Sequence, residues 1–380
     1  MNKLLLLLII FFPFITKGQQ LPDTTGKADS SRLHNTIRFP FYEKGEKLNG
    51  ATVAPDPDRH AGTWERLWMD GEWNTDTAYC WVQVVKKQID LLHGIGGNAI
   101  HMKGSYGTFE SYGLCSGTTY PPSWHWDVQR FLRNLQKVIS YCASRNMYYY
   151  LGLSGVEAYL AVGVPAYCAP TYEQYLQQDS VVLGLLERNK STVVGVDLLN
   201  ESALWLDDTR VKLNLVTMPA FKEVVAAKYA NARKFTTLPL TFSINHRNSL
   251  QDKSIFTSPF IYFIAPYCDF FDFHLYYNNG LEPSPGDMQP LLKDYPGKYV
   301  WFGEYGGFMA DTSMRGKNAR GVQALMEQPE TQAAFMFEIK PHGTGYEDYG
   351  MWDRQNNARQ DVVGPFMHNR KRSELPAGTH

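Results

Sequence analysis

Two short segments, Val193-Val194-Gly195-Val196-Asp197-Leu198-Leu199-Asn200-Glu201 and Tyr299-Val300-Trp301-Phe302-Gly303-Glu304, each carry an apolar run straight into a glutamate. A run of Val, Leu, Phe and Trp without polar alternation suits a strand buried on both faces, and such strands belong to parallel sheets covered by helices. Strand-like and helix-like stretches alternate through the middle of the chain, the pattern of stacked βα units. The expected fold class is α/β: a (β/α)8 TIM barrel, a single domain with long loops on the catalytic face. In such barrels the C-terminal strand ends open onto the site, so glutamates at two strand ends can converge on one bound molecule.

Strands are expected at 51–54, 99–102, 147–153, from 193 into the Glu201 register, at 238–244 and 271–275, from 299, and at 333–337. Helices are expected at 78–92, 128–144, 171–188, 220–235, 260–267, 288–292 and 316–328, the last clear one. The strand-to-helix connections at 55–77, 104–127, 154–170, 202–219, 276–287 and 305–315 concentrate Trp and Tyr, among them Trp68, Trp124, Trp205, Tyr276 and Tyr305. Aromatic faces pack against the C–H faces of sugar rings, so their accumulation argues for a carbohydrate groove.

Gly195-Val196-Asp197-Leu198-Leu199-Asn200-Glu201-Ser202 resembles the strand-four motif of clan A glycoside hydrolases, most closely family 5 cellulases and mannanases. Phe302-Gly303-Glu304-Tyr305-Gly306 looks like that family's strand-seven motif, and Phe273-His274-Leu275-Tyr276 like its strand-six His-x-Tyr. The motifs come in the family's order, and the interval from Glu201 to Glu304 accommodates three more βα units of roughly 30 residues each. The resemblance implies a retaining enzyme that needs no cofactor and cleaves a β-linked poly- or oligosaccharide, of β-mannan or β-glucan type, with Glu304 as nucleophile and Glu201 as acid/base.

On that reading the charge of Glu304 raises the pKa of Glu201 and keeps it protonated. Asn200 bonds the sugar 2-hydroxyl, Tyr276 donates to Glu304, and His274, His101, Trp205 and Trp352 line the substrate. Two positions depart from the pattern. An arginine usually ends strand two where this chain reads Asn98-Ala99-Ile100-His101-Met102-Lys103, and a tryptophan follows strand eight where it reads Phe335-Met336-Phe337-Glu338-Ile339-Lys340. Loss of the arginine leaves a rival: a catalytically impaired carbohydrate-binding protein on the same barrel.

The remaining sequence bounds the class. Of the 380 residues, 1–18 read as a signal peptide: a basic start at Lys3, an apolar stretch from Leu4 to Ile15, and Thr16-Lys17-Gly18 as the cleavage pattern. The stretch is shorter than the roughly 20 apolar residues of a membrane anchor, so export, secreted or periplasmic, is expected. Residues 19–46 read as a flexible leader, 47–370 as the catalytic domain and 371–380 as a tail. The 37 Lys and Arg, less Lys3 and Lys17, stand against 38 Asp and Glu. With no basic stripe, a nucleic-acid partner is disfavoured.

The five cysteines form no metal or disulfide spacing, although Cys115 and Cys168 could pair in an exported chain. His-x-His is absent, which argues against a metal hydrolase, and so is Gly-x-Ser-x-Gly, which argues against a serine elbow. Gly94-Ile95-Gly96-Gly97 follows a helix and precedes a strand, the reverse of the order a dinucleotide loop needs.

Overall fold

A computed structural model describes residues 39, 41, 45–55, 67–68, 79–105, 128–154, 172–202, 218–245, 253–257, 259–276, 284–306, 312–341, 350–353 and 355–373. All fall in one compact unit, Thr36–His380. The signal peptide at 1–18, Trp205, Cys115, Cys168 and most of the long connections lie outside the described residues.

Eight strands alternate with helices. They are β1 (Leu48–Thr52), β2 (Ala99–Ser105), β3 (Tyr148–Ser154), β4 (Val193–Asp197), β5 (Leu240–Thr241), β6 (Phe271–Tyr276), β7 (Val300–Gly306) and β8 (Thr331–Met336). The helix before β2, α1, runs through a π-type segment Cys80–Lys86 into Lys87–Gly94. Then come α2 (Val128–Ser144), α3 (Tyr172–Arg188), α4 (Met218–Ala232), α5 (Pro259–Ile264), α6 (Pro285–Asp294), α7 (Thr312–Met326) and α8 (Gln360–Ser373).

Every ladder is parallel, in the order β5-β4-β3-β2-β1-β8-β7-β6. The seam between β5 and β6 is closed by one parallel bridge, Ile244 to Phe273: the Ile244 amide donates to the Asp272 carbonyl and the His274 amide to the Ile244 carbonyl, both at 2.9 Å. The structure is thus the expected (β/α)8 barrel. Among the described residues no helix is long and apolar enough to cross a membrane.

Strand alternation sorts the side chains into two cores. Outward residues such as Ile100, Leu151, Val196, Phe273 and Phe302 pack with helix faces like Phe131, Leu135, Val138 and Cys142 of α2, spaced three and four apart. Inward residues of the lower barrel form a second, aromatic core of Tyr148, Tyr150, Phe270, Trp301 and Phe335. Phe39 and Phe41 belong to this core, fully buried, with Phe39 on Phe270 at 5.9 Å and on Trp301 at 5.3 Å. The expected leader 19–46 therefore contributes packing: its Phe39 and Phe41 plug the barrel floor, because the inward rings there need an apolar cover.

Above that floor the inward positions turn polar. Thr52, His101, Asp197, Asp272, His274 and Glu304 are all buried. Cys142 and Cys268 are buried free thiols, and Cys80 is buried as well.

Candidate active site

The apolar run of β4 carries the chain to Asp197, whose Oδ1 accepts the amides of Leu199 at 3.1 Å and Ser243 at 2.9 Å. This folds the strand exit into a tight turn. The Asn200 amide donates to the Leu153 carbonyl at 3.0 Å and the Glu201 amide to Ser243 Oγ at 2.7 Å. Glu201 adopts φ 53°, a left-handed conformation that a non-glycine residue holds only where its surroundings enforce it, typically at functional sites. Ser202 completes the clamp, its amide and hydroxyl both donating to the Ser243 carbonyl.

Glu304 arrives by another device. Trp301 belongs to the inner core and Phe302 to the outer one, so strict alternation would send residue 304 outward. The β7–β8 register shifts between Phe302 and Tyr305; that irregularity turns Glu304 inward, opposite His274 on β6, and leaves Tyr305 in the outer core. Gly303 permits it, since a Cβ there would lie 2.3 Å from an Asp272 carboxylate oxygen.

The two glutamates meet around His274. Its Nδ1 lies 3.0 Å from Glu201 Oε1 and 3.5 Å from Glu304 Oε2, and one side-chain atom from each of the three lies within 4.8 Å of the others. Lys103 Nζ sits 2.9 Å from Glu304 Oε1, the Tyr276 hydroxyl donates to Glu304 Oε2, and Asn245 Nδ2 donates to Glu201 Oε1 at 3.0 Å.

Charges follow from these contacts. Burial favours a neutral Glu201, but the His274 hydrogen bond, the Lys103 and His274 charges and Asn245 outweigh it and hold the carboxyl at about 2. Burial opposes charge on His274, yet Glu304, Glu201 and Asp272 lift it to about 9. Lys103 is likewise raised against burial by Glu304 and Glu201. His101 is pushed well below its ordinary value by burial and by the positive charges of His274 and Lys103, and is neutral.

The structure thus brings together Glu201, Glu304, His274, Tyr276 and His101, whose Nδ1 is 3.9 Å from Glu304 Oε1. Asn200 joins them: its Oδ1, like His101 Nε2, points over Gly152, where a Cβ would meet both. Three expectations need correction. Glu201 is depressed rather than raised in the resting site, because Lys103 meets the charge of Glu304 and His274 bonds Glu201 directly. Trp352 is buried and lines a pocket along α1 with Val82, Lys86, Asp90 and Ile95, a lining that includes neither glutamate. Trp68 and Tyr305 are core residues: Trp68 stacks edge-on against Phe131 at 4.9 Å and Tyr305 is buried.

Several functional groups were missed. Lys103 stood out only as a departure from an arginine, whereas the structure shows one cation in place of another. Asp197 and Asp272 carried a signal, a carboxylate inside an apolar strand, which demands partners when buried. Ser243 and Asn245 carried none.

Among the described residues two groups, Glu201-His274-Glu304 and Asp197-Asp272-His274, have ligand atoms close enough for a cation. Lys103 occupies the flank of Glu304 in the first. In the second, Asp272 accepts the Tyr150 hydroxyl at 2.5 Å and the Gly303 amide at 2.6 Å. Asp197 Oδ2 and His274 Nε2 of the second group take no hydrogen bond.

No family model matches the chain, and no curated protein matches it. Solved structures do. The exo-beta-1,4-mannosidase Op5Man5 from Opitutaceae bacterium strain TAV5 superposes with a TM-score of 0.60 at 14% identity over 87% of this chain, which spans 60% of the length of that one. A GH5_18 variant from Bifidobacterium longum subsp. longum ATCC 55813, in complex with Manb1-4GlcNAc, gives 0.59 at 12% identity over 87% of this chain and 80% of that one. The endoglucanase Cel5A from the hyperthermophilic Thermotoga maritima gives 0.54 at 13% over 87% and 100%. At these identities the likeness is one of fold, and it is the fold that the motif resemblance implied.

Proposed function

We propose that the chain is a retaining glycoside hydrolase acting on a β-linked poly- or oligosaccharide of β-mannan or β-glucan type. One observation carries this reading: Glu201 and Glu304, from β4 and β7, converge on His274 with side-chain atoms within 4.8 Å. Carboxyl groups about 5 Å apart leave no room for a water between them and the sugar, the spacing of double displacement. The mannosidase, the endoglucanase and the saccharide complex among the structural neighbours support a carbohydrate substrate.

Glu304, paired with Lys103 and bonded by Tyr276, is the nucleophile toward the anomeric carbon. The proton for the departing oxygen resides on the Glu201–His274 pair and, in the resting site, on His274. As the leaving oxygen gains charge, the Nδ1 proton passes to Glu201, and Glu201 hands that same proton on to the oxygen. Once the glycosyl ester forms, Glu201 accepts a proton from water, which attacks the ester. Asn200 is placed for the 2-hydroxyl. The apolar start of the chain supports export, with a mature terminus expected at Gln19.

Purified protein assayed on aryl β-glycosides and on mannan, glucan and xylan should turn over at least one of them, and a matching 2-fluoro glycoside should attach covalently to Glu304 by peptide mapping. Turnover surviving in both Glu201→Gln and Glu304→Gln would remove the pair from the reaction. Saccharide binding without turnover in the wild type would favour the carbohydrate-binding rival.

A further inference from the structure

Deeper in the barrel than the glutamates lie two carboxylates that the mechanism above leaves unused. Asp272 is fully buried two residues before His274, pressed against the β7 backbone where Gly303 makes room, its oxygens accepting the Gly303 amide at 2.6 Å and the Tyr150 hydroxyl at 2.5 Å. Asp197 is fully buried at the end of β4. Its Oδ1 takes two amides and its Oδ2 takes no hydrogen bond. His274 Nε2 also has no hydrogen-bond partner and lies 3.9 Å from Asp272 Oδ2. One atom from each of Asp197, Asp272 and His274 falls within 4.8 Å of the other two. His274 therefore spans two layers, the glutamates on its Nδ1 side and the aspartates on its Nε2 side.

Two carboxylates this close in a buried space do not both ionise readily. Asp272, with two donors on it, is the better anion. Asp197, with one bare oxygen, is the better proton holder; burial and the charge of Asp272 push it up to about 7. We propose that Asp272 and Asp197 are a one-proton pair that keeps His274 as an imidazolium, and that they are positioning residues for the acid step because His274 holds the proton Glu201 delivers.

The proposal rests on the hydrolase reading for its second half only. In the step itself the His274 Nδ1–H bond breaks and an O–H bond forms on Glu201, leaving a neutral imidazole and a neutral carboxyl; Asp272 keeps its charge throughout. The groups facing His274 are Glu201 and Asp197 from the β4 exit, Glu304 from β7, Asp272 and Tyr276 from its own strand, Lys103 and neutral His101 from β2, and Tyr150 from β3. Lys103 opposes the imidazolium and is paired with Glu304, which leaves the aspartates as the anionic support on the inner side.

The test is a titration from pH 5 to 10 of the full chain, labelled with 15N in its histidine rings, with the His274 signal assigned by its loss in His274→Gln. In the wild type the imidazolium should persist beyond pH 8. Asp272→Asn, which keeps an oxygen for the Gly303 amide and an amide for Tyr150, should lower the His274 midpoint by at least one pH unit, a tenfold change in its acid constant. Asp197→Asn, which keeps both amide bonds on Oδ1, should lower it by less, and serves alone if circular dichroism shows that Asp272→Asn does not fold. An identical His274 midpoint in wild type and variants overturns the proposal.

The alkaline limb of kcat/KM on the responsive aryl glycoside should move with the midpoint; a limb that stays put while the midpoint moves overturns the proton-delivery half. Absence of turnover on every glycoside ends the hydrolase reading instead, while the ring titration still decides whether the aspartates hold the imidazolium.

Discussion

At the scale of single residues, the site is governed by which cation meets which anion. Lys103 stands 2.9 Å from Glu304 Oε1 and 5.0 Å from the centre of the Phe337 ring. It sets a cation against the proposed nucleophile, a carboxylate with no exposure to solvent. Lys103→Met should therefore cut kcat/KM on an aryl glycoside by about 100-fold, the scale of removing one preorganised electrostatic group, while Lys103→Arg should recover most of it. Equal activity in Lys103→Met and wild type would show that Glu304 needs no cation. The glutamates were legible because each ends an apolar run. The depressed pKa of Glu201 was not, because against burial it depends on His274, Lys103 and Asn245, residues brought close only by closure of the barrel.

At the scale of elements, the sequence announced strands whose both faces are apolar and blurred those that pack less. Strand five read as 238–244 but is paired only at Leu240–Thr241 before the bridge at Ile244, since Asp197 and the Glu201 turn draw the following residues into clamping rather than laddering. α8 went unread because Gly364 and Pro365 interrupt it and, among its described side chains, just Val362, Val363 and Phe366 are buried. Helix-to-helix register was equally invisible. α3 and α4 are joined by Asp179 and Lys228, buried and 2.8 Å apart. Lys228→Met would take the cation away from the buried Asp179 carboxylate and should cost about 3 kcal/mol by urea unfolding, with Asp179→Leu added to it restoring most of the loss. A single variant as stable as the wild type would mean that Asp179 is protonated there at no cost.

At the scale of the whole molecule, an apolar floor carries a charged layer, and the charges tie stability to pH. Glu201, lowered from 4.5 to about 2, adds stability above pH 4.5 that is lost as pH falls through about 2. Asp197, raised from 3.8 to about 7, adds stability below 3.8 that is lost as pH rises through about 7. His274, raised from 6.5 to about 9, adds stability below 6.5 that is lost as pH rises through about 9. The thermal midpoint should thus peak near pH 4 to 5 and decline toward about pH 9, and Asp197→Asn should flatten the decline below about pH 7. A midpoint that climbs from pH 5 to 9 would contradict these signs. Barrel class and strand order were readable because they follow from repetition of one unit; the N-terminal plug was not, since two phenylalanines outside the repeat give no periodicity.

The narrowest stave joint of the barrel has a further meaning. Ile244, whose bridge to Phe273 helps stitch the β5 side to β6, stands between Ser243 and Asn245, the residues that grip Glu201, and its backbone partners are Asp272 and His274. Any breathing of the cylinder along that joint would slacken Glu201 and separate it from the His274 imidazole in one movement, so mechanical integrity and the geometry of the site are the same property of this chain.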